Sequence, residues 1–584
     1  MVVVQKKKVK KPRIKLTPEQ KRALQEKLKQ KKLEDKYRAD VRTIFILSGF
    51  EYIQTDGKQF EFEGRNSEID ALFVYKNIII VSEDTHGKGS HDSQHLYKKK
   101  IIHDLILDNK SKFIEFLKIK FPEFGNYCDK NPIYKTPHFE IKIAYFSRFQ
   151  VSDEALKQCP RIKYFDYPRF KYFYNLSKVI GKTAKFEVFK FFELSYAQIG
   201  EARIQAGLQA GGAIGYKGFL LPESDSNYPE GYKVLSFYID PERLLEKSHV
   251  LRKDSWLDPD CTYQRMLIPK KIRDMRKYLS EESRVYINNI IVTLPASTTF
   301  TKPDSKETVD PATLAEKEYV LIYLPNEFNS IGLIDGQHRV YSYHEGDDVH
   351  ELKIDTLRKC QNLLVTGIMY PPGLSEADQT DFEAKLFLEI NDKQAKAKAD
   401  LKQGIELLVR PFTIAAISKA IINKLAQSGP LKGQLQEHYF DEDFKIKTSS
   451  IVSYGLAPLV SLNGKESLIK LWNNPNKQDV IDQKNRELLK EYIEFCVQEI
   501  NKLLLAFKLN MLNNWDRDKP DSYLTTTTVN GFLVCLRQFV NAGVLYETDN
   551  YKDKLKDVSQ FDFKDYKSSH WKQLGVDVHS KYFP

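Results

Sequence analysis

The segment Ser67-Glu68-Ile69-Asp70-Ala71-Leu72-Phe73-Val74-Tyr75-Lys76-Asn77-Ile78-Ile79-Ile80-Val81-Ser82-Glu83 leaves a chain few ways to fold. Two strand-like runs flank Lys76-Asn77. Folding about that pair sets Val74 opposite Ile79 and Leu72 opposite Val81 on one face, and Phe73 opposite Ile80 on the other. Carried outward, the register sets Asp70 opposite Glu83, on the face of Leu72 and Val81, with Cβ atoms about 5 Å apart. Two carboxylates that close repel unless a cation lies between them or one is protonated. Mg²⁺ meets the need, being a hard cation that prefers oxygen ligands. A metal so held activates water and stabilises a phosphorane-like transition state. The plainer alternative is a surface hairpin whose end acids are solvated.

A second strand ends in chemistry. The apolar run Ile331-Gly332-Leu333-Ile334 empties into Asp335-Gly336-Gln337-His338-Arg339. A strand-to-helix turn points backbone N–H groups outward, which suits an anion. Gly336 lets that backbone approach a ligand, and Arg339 offers a planar donor fork for phosphate. His338 can donate to phosphate or accept a proton. Asp335 can hold Mg²⁺ or orient His338 or Arg339, and Gln337 can position water or read a base. These favour a nucleotide or nucleic-acid phosphate over an apolar ligand; the alternative is an internal polar network that fixes the turn.

The pentapeptide and its surroundings resemble the DGQHR-domain family, which includes the DndB proteins of DNA phosphorothioation systems. Tyr263-Gln264-Arg265 before a helix at Ile268–Leu279, the strand Val285–Val292, and Phe387-Leu388-Glu389-Ile390-Asn391-Asp392-Lys393-Gln394 match the family's pattern over about Lys233 to Leu401. The wider grouping is similar to ParB and sulfiredoxin, where the corresponding turn handles nucleotide phosphates. The resemblance implies a nucleotide (ATP or another NTP) or DNA phosphate at Asp335, His338 and Arg339. Asn391 and Gln394 share a helix face and would contact ligand or form a supporting polar seam; Gln264 and Arg265 are likewise contacts or supports.

The N-terminal hairpin resembles the PD-(D/E)xK nuclease superfamily, the restriction-endonuclease-like fold. The resemblance implies Asp70 and Glu83 as the acids, with Glu34 or Asp35 as the helical acid. Thr85 stands where that pattern has lysine, and Lys88 is the candidate substitute. The next helix carries Gln94 and Tyr97, a spacing similar to one found in some members. His91 and His95, with His86 upstream, offer a zinc-like spacing, but the general-base glutamate of HExxH is replaced by Asp92. Solvated histidines on a helix face are the preferred reading.

With 584 residues the chain exceeds one core. Its fold class reads as α/β multidomain: a basic helical arm over 1–33, a restriction-endonuclease-like α/β domain over 34–150, a central DGQHR (ParB-like) α+β domain over 190–400, and a mostly helical C-terminal region over 401–584. The first 32 residues hold thirteen Lys/Arg against Glu19 and Glu26, a formal +11 that equals the charge of the whole chain. Such an arm suits a polyanion. No apolar run has the length of a membrane span, no secretory signal is visible, and the six cysteines show no zinc spacing, which favours a cytoplasmic setting with no membrane partner. The Gly-rich stretch Ala206–Gly212 lacks the P-loop pattern. Tyr and Phe are abundant, notably around Tyr164–Tyr174, and serve either cores or base stacking.

The expected function is that of a DNA-binding protein of a bacterial DNA-modification or anti-phage defence system. It would combine a Mg²⁺-dependent endonuclease site (Asp70, Glu83, Lys88, with Glu34 as a further metal ligand) and a phosphate-binding DGQHR core. Two rivals stand beside it: a non-enzymatic DndB-like transcriptional regulator, and a DNA-stimulated NTPase acting through Asp335, His338 and Arg339. Partners would be DNA, other proteins of such a system, and a second copy in a homo-oligomer.

Overall fold

The computed structural model describes residues 18–86, 90–149, 151–205, 214–252, 255–257, 264–392, 410–436, 445–519, 521–567 and 569–584. It is α/β, with two compact units: Met1–Gly211 with His344–Asp348, and Gly212–Tyr343 with Val349–Pro584.

The first unit opens on a single helix, α1 (Pro18–Leu47). The sequence reading divides this stretch near Glu34, but no Gly or Pro interrupts it after Pro18, so nothing breaks the hydrogen-bond ladder until Gly49 at φ 87°. The strands that follow are β1 (Glu51–Ile53), β2 (Phe60–Phe62), β3 (Arg65–Ser67), β4 (Ala71–Tyr75), β5 (Ile78–Thr85), β6 (Glu140–Ser147) and β7 (Ile162–Phe165). Five form one mixed sheet in the order β1-β4-β5-β6-β7. β1, β4 and β5 run antiparallel, then β5, β6 and β7 run parallel. The hairpin has the register read from sequence, with Leu72 opposite Val81, Phe73 opposite Ile80 and Val74 opposite Ile79. Crossover from β5 to β6 goes through α2 (Ser90–Asp108) and α3 (Lys110–Lys120). Asn109, at φ −118° and ψ 41°, separates them, and its side chain donates to the Leu105 carbonyl. After β7 comes α4 (Tyr167–Ile180), started by Asp166, whose side chain accepts from the Arg169 amide, and stopped by Gly181 at φ 50°.

Both faces of this sheet are covered, as its long apolar strand β5 requires. Leu72, Val81 and Ile143 pack with Ile106 of α2 and Phe113 of α3 on one side. On the other, Phe73, Phe146 and Phe165 meet Phe45 of α1.

The second unit holds β8 (Gly215–Leu220), β9 (Lys233–Ile239), β10 (Ser248–His249), β11 (Ile290–Leu294), β12 (Thr299–Thr301), β13 (Glu318–Tyr323), β14 (Ile331–Asp335) and β15 (Leu363–Met369). They form an eight-stranded sheet in the order β10-β14-β11-β15-β9-β8-β13-β12. Only β10/β14 and β11/β15 are parallel pairs. The strand expected at Val285–Val292 begins only at Ile290; Asn289 instead donates from its side chain to Thr366 Oγ1 at 2.8 Å. α5 (Pro269–Glu282) precedes it, α6 (Gln337–Tyr341) follows β14, and α7 (Glu376–Asp392) follows β15.

Beyond α7 the described chain is helical. α8 (Ile414–Gln427), α9 (Arg486–Asn510), α10 (Thr526–Ala542) and α11 (Trp571–Tyr582) share one apolar core. The stripe Leu488, Leu489, Tyr492, Ile493, Cys496 and Ile500 is buried there. The cap of α10 is Thr525, whose side chain accepts from the Thr528 amide. No described helix is long and apolar enough to cross a membrane.

Candidate functional site

In the first unit Asp70 and Glu83 sit one step beyond the last β4–β5 pair, Ala71 opposite Ser82. Period-two alternation sends Glu83 to the same face as Val81, toward α2. Asp70 is 9% exposed and Glu83 fully buried. The Asp84 amide donates to Asp70 Oδ2 at 2.9 Å, which fixes that carboxylate against the strand end. Burial, with Asp70 alongside, holds the Glu83 carboxyl well above its usual range, while Lys99 works in the opposite sense.

α2 supplies the answer to that charge. Lys99 Nζ lies 2.7 Å from Glu83 Oε2 and donates to the Glu68 carbonyl at 2.7 Å. One turn on, His103 Nε2 is 3.7 Å from Glu83 Oε1. His103 is fully buried, and burial together with Lys99 lowers its pKa to about 3, so it is neutral near pH 7. Among the described residues neither ring nitrogen of His103 nor Glu83 Oε1 has a hydrogen-bond partner. On the opposite face Asp84 pairs with Arg38 of α1 at 3.2 Å. Burial and the nearby Asp70 raise the Asp84 carboxyl to about 6.

Sequence reading named Asp70 and Glu83 here but not Lys99, His103, Asp84 or Arg38. Lys99 and His103 are four apart on α2, so one helix face carries both; that spacing was available, but the phase of α2 over the sheet was not. Lys88, the expected lysine, lies outside the described residues. Glu34 is exposed and accepts from Gln30 at 3.1 Å; the α1 side chains at this strand end are Arg38, which pairs with Asp84, and Arg42, which donates to the Asp70 carbonyl at 3.4 Å. Of the histidines, His86 contacts Gln30 at 3.0 Å and His95 contacts the Tyr145 hydroxyl at 2.9 Å. Among the described residues no group of three or more His, Cys, Asp or Glu side chains is placed to hold a metal. A magnesium ion needs fewer protein ligands than that, since one or two carboxylates with water and substrate phosphate complete its shell.

In the second unit the pentapeptide spans the end of β14 and α6. Gly336 adopts φ 97°, and a Cβ there would meet Ile290 Cδ1 at 2.6 Å, so both conformation and space call for glycine. Arg339 Nη2 donates to Asp335 Oδ2 at 2.8 Å, so these two charges are paired with each other. His338 Nε2 accepts from the Ile268 amide at 3.1 Å, which assigns its proton to Nδ1. Burial first, then Lys271, Arg265 and Arg252, lowers His338 to about 4. The imidazole therefore stays neutral amid three cations, a setting that favours an anion rather than a metal ion.

Gln264 is a support: it is buried and its Nε2 donates to the Leu333 carbonyl at 2.6 Å, bracing β14. Arg265 has an exposed side chain, while its carbonyl accepts from Gln337 Nε2 at 3.4 Å. Asn391 falls in the last turn of α7, where its side chain is outside the description, and Gln394 lies outside the described residues. Arg252, fully buried with its guanidinium 4.9 Å from the Tyr341 ring centroid, and Lys271 were not read from sequence as site residues. Behind β14, Glu383 accepts from Thr293 Oγ1 at 2.5 Å and from the Tyr370 hydroxyl at 2.7 Å, a buried network that anchors α7 to the sheet.

Compared with protein-family models, with curated proteins and with solved structures, the chain matches none of them.

Proposed function

We propose that this chain is a DNA-binding protein of a bacterial DNA-modification or anti-phage defence system, with a Mg²⁺-dependent endonuclease site in its first unit and a phosphate-binding DGQHR core in its second. The observation that carries the nuclease reading is the trio Asp70, Glu83 and Lys99. Two carboxylates meet at the end of a central strand pair, and an ammonium reaches the second of them at 2.7 Å. That supplies from α2 the cation which Thr85 denies to β5. The order of antiparallel then parallel strands, with a helical crossover after the acid-bearing strand, supports the PD-(D/E)xK resemblance.

The acids fit a divalent cation: they are close, buried, and Glu83 Oε1 has no hydrogen-bond partner among the described residues. Such an ion, when bound, lowers the pKa of water and offsets charge on a phosphate. Asp70 is held ready for it by the Asp84 amide. Lys99, moved off Glu83, would place its ammonium against the negative charge that builds on the phosphate oxygens. His103 keeps a neutral, dry wall behind Glu83. In the second unit, Arg265, Lys271 and Arg252 around a neutral His338 suit a nucleotide or DNA phosphate.

Supercoiled plasmid, modified and unmodified, incubated with the protein and Mg²⁺, with and without ATP, tests this. Nicking is expected, with a loss of about a hundredfold or more in Asp70→Ala, Glu83→Ala and Lys99→Ala. A second reading, a DndB-like regulator without cleavage, is favoured by Thr85 and by the complete burial of Glu83. DNA binding without nicking of either plasmid selects it, and phosphate release from ATP in the absence of nicking selects an NTPase centred on the pentapeptide.

A further inference from the structure

The aromatic-rich stretch around Tyr164–Tyr174 has no role in either site described above. In the structure it forms the end of β7 and the first half of α4, and α4 is two-sided. Phe170, Tyr172, Phe173, Leu176 and Ile180 are buried. Tyr167, Lys171, Tyr174 and Lys178 follow at steps of four, three and four. At 100° per residue they fall within an arc of about 60° on the other side of the helix. Tyr167, Lys171 and Tyr174 are half-buried and Lys178 is exposed. Lys171 Nζ lies 5.3 Å from the Tyr167 ring centroid and 5.7 Å from that of Tyr174; Lys178 Nζ lies 4.4 Å from Tyr174. The Arg148 guanidinium lies 3.5 Å from the Tyr167 centroid and closes the row. Rings and cations thus alternate along one stripe, and neither Lys171 nor Lys178 has an ion-pair partner among the described residues.

The stripe reaches the strand ends of the sheet. Arg148 follows β6 directly, and its amide donates to the Thr85 carbonyl at 3.1 Å, two residues past Glu83 on the neighbouring strand. The row therefore starts where β5 ends.

We propose that this stripe is a track for single-stranded DNA, which delivers a strand to the end of β5. Phosphates would pass Lys171, Lys178 and Arg148, and bases would stack on Tyr167 and Tyr174. Alternating cations and half-buried tyrosine rings match a polymer that alternates negative charge with flat π-faces. An arginine lying flat on a tyrosine offers a stacking plane on the guanidinium as well. A duplex exposes charge but not base faces, so rings on this row select the single strand. The proposal rests on the reading that the first unit acts on DNA, while its test does not depend on cleavage.

The test is fluorescence anisotropy of labelled oligo(dT), and of a duplex, with the full chain in EDTA at low and moderate salt. Lys171→Glu/Lys178→Glu is expected to weaken oligo(dT) binding about tenfold or more and to flatten its salt dependence. Tyr167→Ala/Tyr174→Ala is expected to weaken oligo(dT) about fivefold or more with duplex binding unchanged. Tyr167→Phe/Tyr174→Phe is expected to bind as the parent does, since stacking uses the ring and not the hydroxyl. Circular dichroism and melting of each variant report whether the fold is kept. Unchanged oligo(dT) affinity in a folded Tyr→Ala variant overturns the proposal, as does an equal loss for duplex and single strand. Absence of Mg²⁺-dependent nicking would sink the nuclease reading alone, and failure of the tyrosine variants to matter would sink the track alone.

Discussion

Glu83 and His103 face each other on the α2 side of the sheet, Asp84 pairs with Arg38 on the α1 side, and the three side chains are buried. Desolvation acts on them in opposite senses: it raises the two acids and lowers the imidazole. For Asp84, raised to about 6, the native state binds more protons than the unfolded chain from about pH 4 to 6, so its contribution falls as pH rises through that window. Asp84→Asn should therefore gain stability relative to the parent between pH 4 and 7, which chemical denaturation at a series of pH values would read. For His103, lowered to about 3, the native state binds fewer protons below about pH 6.5, so stability is lost as the solution is acidified. His103→Leu should lessen that loss, by up to about 3 kcal/mol at pH 4 given about 1.4 kcal/mol per tenfold in proton affinity. At Gly336, an alanine would have to hold φ 97° and push on Ile290. Gly336→Ala should cost about 1–3 kcal/mol of stability in the second unit and, by displacing Arg339, weaken phosphate-dependent binding.

At the scale of elements, how much was legible depended on whether the partners were neighbours in sequence. The β4–β5 hairpin was legible because a one-residue slip would turn Leu72, Val74, Ile79 and Val81 out of the core. The turn after β14 was legible because Gly336 is a local necessity. By contrast, the division between α2 and α3 lies in the backbone of Asn109, at φ −118° and ψ 41°, which periodicity does not report. The α10–α11 crossing is another feature only the fold reveals. A Cβ on Gly575 would meet the Gly531 carbonyl and Val534 Cβ, each at 2.5 Å, so the two helices touch backbone to backbone. Gly575→Val should force them apart and cost about 2–4 kcal/mol, seen as a lower melting temperature, whereas Val576→Ala beside it, 38% exposed, should change little.

At the scale of the whole molecule, charge and chemistry are placed apart in the sequence. The surplus of cations lies in the first 32 residues, while the rest of the chain is formally neutral. Removal of residues 1–17, which carry seven Lys/Arg and no acid, should lower DNA affinity at low salt. It should also flatten the dependence on salt and leave sequence preference and any cleavage chemistry in place. Binding titrations across a salt series would show it; an unchanged slope would mean that the arm does not touch DNA.

The sequence by itself determined the α/β character, the hairpin and its register, the strand-to-glycine turn at Asp335-Gly336, the apolar stripe of α9 and the concentration of charge in the arm. These follow from local rules: period two, period 3.6, and the freedom of glycine at positive φ. Only the tertiary structure decided that Lys99 answers Glu83 where Thr85 does not, that Arg38 rather than Glu34 reaches an acid of β5, Asp84, that Arg252 and Lys271 crowd His338, and that α4 turns its tyrosines and lysines to one side. Those pairings join residues far apart in the chain. They depend on the phase at which a helix settles over a sheet, which packing of the whole core sets and no local pattern encodes.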